Sequence, residues 1–129
     1  MNNQRRRLVA GSASAVGLAG WAGLPRCAFA QGKFPERPVR LVVPFAPGGE
    51  TDFVARTWAN RVAPHLGTTI IVDNRAGAGG AVGAAEAARA KPDGYTLLSG
   101  TTSTHVINPA AMEKPPYEPL RDFTPITLV

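Results

Sequence analysis

Three short apolar runs constrain the fold of this chain most: Val39-Arg40-Leu41-Val42-Val43, Thr69-Ile70-Ile71-Val72 and Tyr95-Thr96-Leu97-Leu98-Ser99. Each has strand length, two are rich in β-branched residues, and all carry apolar residues at adjacent as well as alternate positions. Such strands need cover on both faces, which a parallel sheet flanked by helices provides. The segments between them have the right length and pattern. Val54, Trp58, Val62 and Leu66 recur every four residues and predict a helix with one apolar stripe. Thr51 or Asp52 is placed to cap its start, Pro64 to end or kink it near Ala63, and Gly67 to close the turn. Ala81 to Ala90 reads as a second, alanine-rich helix, and Lys91-Pro92-Asp93-Gly94 as a tight turn. The order is β-α-β-α-β, an α/β fold with parallel strands joined by right-handed crossovers. After Ser99 a polar run, Gly100 to His105, and a Pro-rich stretch read as loop, and Ile126-Thr127-Leu128-Val129 as the opening of a fourth strand.

In open parallel sheets, ligands bind beyond the carboxyl ends of the strands. Two loops leave that edge with unusual compositions. The first, Phe45-Ala46-Pro47-Gly48-Gly49 with Thr51 and Asp52, runs into the first helix. Its glycines allow close backbone approach, and a helix N-terminus offers unpaired N–H groups to a carboxylate or phosphate. Glu50 and Asp52 oppose that use, because they repel an anion at the same helix end. The second loop, Thr101, Thr102, Ser103, Thr104 and His105, supplies hydroxyls and an imidazole suited to a small oxygenated ligand. Each loop also has a bland reading, as a tight turn or a solvated surface loop, and the two together at one edge are the stronger signal.

The glycine-rich segment after the second strand, Gly77-Ala78-Gly79-Gly80-Ala81-Val82-Gly83, is one residue too long for a dinucleotide fingerprint. It is read as close helix–sheet packing. No Gly-Lys-Ser/Thr follows any glycine run, so there is no phosphate-binding P-loop. Catalysis has few candidates. Ser103 and His105 share a loop without a nucleophile elbow or third partner. His65 and His105 have no metal-ligand spacing, and Cys27 is the only cysteine. No metal, cofactor or catalytic residue is expected.

The 129 residues carry 14 Lys+Arg and 9 Asp+Glu, a formal charge of +5. Arg5, Arg6, Arg7 and Arg26 lie in the first thirty residues, which hold no acid; the rest is nearly balanced. Bulk-charge binding of nucleic acid is therefore disfavoured. Residues 1–30 have the parts of an export signal: a charged start, an apolar Leu8–Leu24 diluted by glycines, and Ala28-Phe29-Ala30 as a cleavage site. Arg5-Arg6-Arg7-Leu8-Val9 also fits a twin-arginine pattern. Cleavage after Ala30 would make Gln31 the mature N-terminus and the product periplasmic.

The motifs of residues 34–129 resemble the Bug-type receptors, the extracytoplasmic solute receptors of tripartite tricarboxylate transporters. The resemblance rests on Phe34-Pro35-Glu36-Arg37-Pro38, Pro44-Phe45-Ala46-Pro47-Gly48-Gly49, Thr51-Asp52, Ala55-Arg56 and Val72-Asp73-Asn74-Arg75. It continues through Gly77-Ala78-Gly79-Gly80, Pro92-Asp93-Gly94-Tyr95, Thr104-His105, Asn108-Pro109, Pro116-Tyr117 and Asp122-Phe123-Thr124-Pro125. Ala76 departs from the family's usual proline. The resemblance implies the first lobe of a type II periplasmic binding protein, truncated before its second lobe, and no enzymatic activity. It further implies a small carboxylate ligand held by the Phe45–Asp52 and Thr101–His105 loops, delivery to membrane permease subunits, and a monomeric receptor. The readings from other classes are a small secreted α/β hydrolase using Ser103 and His105, and a ligand-free interaction module.

Overall fold

A computed structural model describes residues 33–129. The export features, from the Arg5–Arg7 start through Cys27 and the cleavage motif to Gln31, lie outside the described residues. Three strands form a parallel sheet: β1 (Val39–Val43), β2 (Ile70–Asn74) and β3 (Thr96–Leu98), in the order β2-β1-β3. Leu41 sits between Val72 of β2 and Leu97 of β3. The ladders are extended by Arg75 N–H to Val43 O (2.8 Å) and Ser99 N–H to Val42 O (2.9 Å).

Because β1 is central, the chain reverses direction across the sheet after β2, and its helices fall on opposite faces. Val39, Leu41 and Val43 pack with Ala55 and Ala59 of α1 (Glu50–Leu66), with Trp58, Val62 and Leu66 around them. On the other face Ala81, Ala84 and Ala85 of α2 (Ala81–Ala88) pack with Tyr117, Leu98, Met112 and Phe123. Also buried are Val42 and Pro44. Strands with apolar residues at adjacent positions thus receive the two-sided cover they require.

The face of α1 differs from the expected stripe. Val54 is 39% exposed, and the centre of the buried face is the alanine pair Ala55 and Ala59, one residue further on. Small side chains bring the helix close to β1, a placement that a search for large apolar residues does not weigh. The caps differ too. Gly49 occupies the N-cap position with no side-chain cap, and Thr51 and Asp52 lie inside the first turn. Pro64 does not end the helix, which continues to Leu66 and closes at Gly67 (φ 70°), whose N–H bonds Ala63 O at 3.0 Å. Pro64 is exposed and within one turn of the end, so its missing N–H and ring clash fall where the helix is already stopping.

The segment read as a polar loop after β3 is helical. It starts at Thr102, widens into a π turn over Ser103–Ile107 and continues as α3 (Asn108–Ala111). A short α4 (Pro119–Asp122) follows. The expected fourth strand does not form: Ile126, Leu128 and Val129 stay exposed outside the sheet, unpaired among the described residues. A β-branched run makes a strand only where an edge offers its hydrogen bonds.

A charge network lies on the α2 face. Arg40 bridges Asp73 (2.6 Å) and Glu86 (2.5 Å), and Arg75 reaches Asp73 (3.2 Å) and Glu86 (3.5 Å). Glu86 and then Asp73 hold the Arg40 guanidinium above its usual range against partial desolvation. Desolvation works against the Asp73 carboxylate, but Arg40 and Arg75 bring it below the usual range.

Candidate functional site

In a 2-1-3 sheet the loops after β1 and β3 leave the same edge where the strand order reverses, which is where α/β sheets place ligands. The loops Phe45–Gly49 and Gly100–Thr101 meet there. They are joined through Gly80, at the end of the 3-10 turn Ala78–Gly80. A Cβ on Gly80 would lie 2.8 Å from Thr104 Cγ2, 3.3 Å from Phe45 Cζ and 3.4 Å from Pro44 Cβ. Gly80 has φ 93°, so the residue is required by both backbone and space. The neighbouring Gly79 carbonyl accepts a hydrogen bond from Asn108 Nδ2 at 2.9 Å. The glycine-rich segment is therefore the packing element between the two candidate loops.

The first loop is held from within. Asp52 is 4% exposed, and its carboxylate turns back toward the loop. Its Oδ2 accepts the Gly48 N–H at 2.9 Å, its Oδ1 accepts Asn74 Nδ2 at 2.9 Å, and Arg56 Nε lies 3.0 Å from both oxygens. Asn74 Nδ2 also donates to Phe45 O at 3.1 Å, and Arg56 Nη2 to Asn74 Oδ1 at 3.1 Å. Arg56, then the Gly48 N–H and Asn74, hold the Asp52 carboxyl down at about 2. Of the two acids expected to repel an anion, Asp52 is thus paired with Arg56, while Glu50 stays exposed in the first turn. The left-handed glycine of the loop is Gly48 (φ 82°); Gly49 has an ordinary φ of −82°, and a Cβ there meets only Ala46 O at 3.6 Å. Among the described residues the N–H groups of Gly49, Glu50 and Thr51 make no hydrogen bond.

The second candidate segment is the start of the helix after β3. Thr101 and Thr104 cap it reciprocally: Thr101 N–H donates to Thr104 Oγ1 (2.9 Å), and Thr104 N–H reaches Thr101 Oγ1 (3.4 Å). This is a capping box with Thr in place of the usual Glu or Gln, and the T-x-x-T spacing is the signal that sequence reasoning passed over. Thr104 is fully buried, and its hydroxyl also contacts Thr101 O (3.0 Å) and His105 Nδ1 (2.9 Å). The His105 ring lies over Gly100 and against Phe123, 5.3 Å between centroids. Thr102 is exposed and Ser103 half-buried. Ser103 has no hydrogen bond to His105, so the pair is not arranged as nucleophile and base.

Of the expected contact residues, Phe45, Ala46, Pro47, Gly48, Gly49 and Thr51 belong to the segment that follows β1 at this edge, and Thr101, Thr102, Ser103 and His105 to the one that follows β3. Asp52 and Thr104 are committed to internal hydrogen bonds. Asn74, Arg56 and Gly80 were not anticipated as part of the site. The edge rule applied to β2 as it was to β1 and β3 would have found Asn74, the last residue of that strand. A surface concavity of about 470 Å³ lies elsewhere, between the end of α1 and the start of β2, and none of its lining residues ionises. No cluster of His, Cys, Asp and Glu among the described residues could hold a metal ion, and no described helix is long and apolar enough to cross a membrane.

The TctC family model, described as a tripartite tricarboxylate transporter family receptor, matches residues 54–129. Protein BugT of Bordetella pertussis is 41% identical over 97 residues, 74% of this chain and 30% of its own length. Among solved structures, MatC from Rhodopseudomonas palustris with bound malate superposes with a TM-score of 0.69 at 48% identity, over 71% of this chain and 31% of that one. The periplasmic binding protein BugD gives 0.66 at 48% identity, over 72% and 31%. R. palustris Rpa4515 with adipate gives 0.64 at 40% identity, over 67% and 29%. The chain spans about 30% of the length of the relatives it matches. Its three-stranded parallel sheet is that of periplasmic binding proteins. By the family match and these likenesses together, the chain belongs to the TctC/Bug family of tripartite tricarboxylate transporter receptors.

Proposed function

We propose that this chain supplies one wall of a cleft that captures a small carboxylate in the periplasm for the permease subunits of a tripartite tricarboxylate transporter. One observation carries the reading: the N–H groups of Gly49, Glu50 and Thr51 make no hydrogen bond among the described residues, and their loop leaves the same sheet edge as the Thr101–Thr104 segment, with Gly80 packed between Phe45 and Thr104. Donors of this kind hold a carboxylate without a basic side chain, and neither segment contains Lys or Arg. The relatives solved with malate and adipate carry dicarboxylates, which makes these two the probes of choice. Asp52 and Thr104 serve the site by shaping it, and His105 lines it. The receptor acts as a monomer, exported with its leader removed after Ala30, and it needs no cofactor or nucleic acid.

Titrating malate and adipate into the chain, followed by amide NMR shifts, tests this. Ser103→Ala removes a hydrogen bond to a charged group, worth roughly 1.5–3 kcal/mol or about ten- to a hundredfold in affinity. Gly49→Val crowds the neighbouring N–H groups without straining the backbone. Shifts confined to the Phe45–Thr51 and Thr101–His105 segments and lost in both variants are expected. Equal affinity in wild type and both variants would overturn the assignment.

A further inference from the structure

We propose that Asp52, Arg56 and Asn74 form a latch that holds the Phe45–Gly48 loop in its binding shape, acting as positioning residues rather than ligand contacts. The inference rests on the carboxylate reading above for its functional meaning, and on hydrogen-bond geometry for its existence.

The loop between β1 and α1 has little of its own to hold it. Ala46, Pro47, Gly48 and Gly49 are exposed, and two of the four are glycines. Such a segment is costly to order when a ligand arrives, and ordering it beforehand improves affinity without adding a contact. The latch ties both ends. Asn74 Nδ2 takes the Phe45 carbonyl (3.1 Å), and Asp52 Oδ2 takes the Gly48 N–H (2.9 Å). The two side chains are joined to each other (2.9 Å), and Arg56 bridges both, through Nε to Asp52 and Nη2 to Asn74. Three elements are thereby coupled: the end of β1, the first two turns of α1 and the last residue of β2.

The arrangement also sorts the loop's donors. Gly48, at φ 82°, points its N–H inward to Asp52, while those of Gly49, Glu50 and Thr51 stay without a partner among the described residues. Arg56 faces Asp52, so the carboxylate enters the helix end as one half of an ion pair. For Asp52 this answers the objection that an acid in the first turn repels an anionic ligand; Glu50, exposed in the same turn, still opposes one.

The test uses the chain with its leader removed, residues 31–129, ¹⁵N-labelled, and malate as probe. Asn74→Ala cuts the bridge. The reciprocal double variant Asp52→Asn with Asn74→Asp restores the 52–74 bond and the ion pair with Arg56, but not the donor to Phe45 O. In Asn74→Ala the amides of Phe45–Gly49 should shift, the Gly48 amide should exchange at least tenfold faster, and malate affinity should fall at least tenfold. Amides of β3 and α2 should stay in place, which separates loop release from unfolding. The double variant should recover at least a third of the lost affinity, a rescue that bulk destabilisation would not give. Unchanged malate affinity in Asn74→Ala, or no rescue in a folded double variant, would overturn the proposal. If the wild type binds neither malate nor adipate, the carboxylate reading fails by itself, and Gly48 exchange still decides the latch: acceleration in Asn74→Ala supports it, and an unchanged rate overturns it.

Discussion

Replacing Gly80 by alanine tests whether the three loop segments are packed as closely as their geometry indicates. The added Cβ acts twice. It forces a residue with a side chain to φ 93°, at a cost of roughly 1–2 kcal/mol. It also falls 2.8 Å from Thr104 Cγ2, inside any normal contact. That methyl cannot swing aside, because Thr104 is fully buried and its hydroxyl is fixed by Thr101 and His105. Pro44 is equally rigid, and only the Phe45 ring has room to yield. Overpacking of this kind costs about 1–3 kcal/mol, so Gly80→Ala should lose roughly 2–5 kcal/mol. For a domain of this size that lowers Tm by about 10–30 °C. Gly48→Ala is the matched control: its φ is 82°, but its Cβ meets nothing within 4 Å, so it carries the strain alone. Thermal unfolding of both variants by circular dichroism separates the two effects. A difference between them below about 0.5 kcal/mol would refute the packing argument, since only strain would then remain.

Gly83→Ala should also destabilise, although alanine gains about 1 kcal/mol of helix propensity over glycine: its Cβ would meet Arg75 O at 2.7 Å and Pro44 Cα at 2.9 Å, both backbone atoms, and a raised Tm would contradict this. Tyr117→Phe removes the hydroxyl that donates to Thr104 O from a buried ring, and should cost about 1–2 kcal/mol in urea unfolding while loosening the near-ultraviolet signal of the Tyr117–Phe123 pair. Asp52 carries its folded pKa down from 3.8 to about 2, so the unfolded chain binds more protons in that window. The stabilisation it gives is complete above about pH 4 and lost as pH falls toward 2; Asp52→Asn should flatten the urea midpoint between these values, and an unchanged slope would show that another carboxylate is responsible.

The sheet was legible because β1, β2 and β3 announce themselves by β-branched and apolar runs bounded by Pro, Gly and Asp. The helix faces were less so. Ala55 and Ala59 sit at the centre of the α1 interface, yet alanine weighs little in a periodicity count beside Val54, which faces solvent. The Thr101–His105 run looked like loop because its residues are poor helix formers, and the pairing of Thr101 with Thr104 across three positions outweighed that propensity. For the site, the choice of sheet edge followed from strand polarity, but the direction of the Asp52 side chain did not. Whether an acid in a first turn faces a ligand or its own loop depends on Asn74, twenty-two positions away and brought near only by the β1–β2 pairing. Local pattern carries no information about such a partner.

The π turn over Ser103–Ile107 has a consequence for how this part of the chain tolerates change in length. Its Asn108 N–H closes on Ser103 O, five residues back, so the turn holds one residue more than an α-helix would. That surplus residue sets the angular phase of everything downstream. Deleting one residue there would let the segment relax to a regular helix with Asn108 nearly in place, because its N–H would still meet Ser103 O, now as an ordinary bond four residues back. The amide that meets the Gly79 carbonyl would stay on the glycine turn, and only a second deletion would rotate it away by about 100°. The π turn would thus absorb the loss of one residue, whereas the loss of two would leave the strands and α1 intact yet uncouple the two halves of the sheet edge, as a slipped gear leaves each wheel whole.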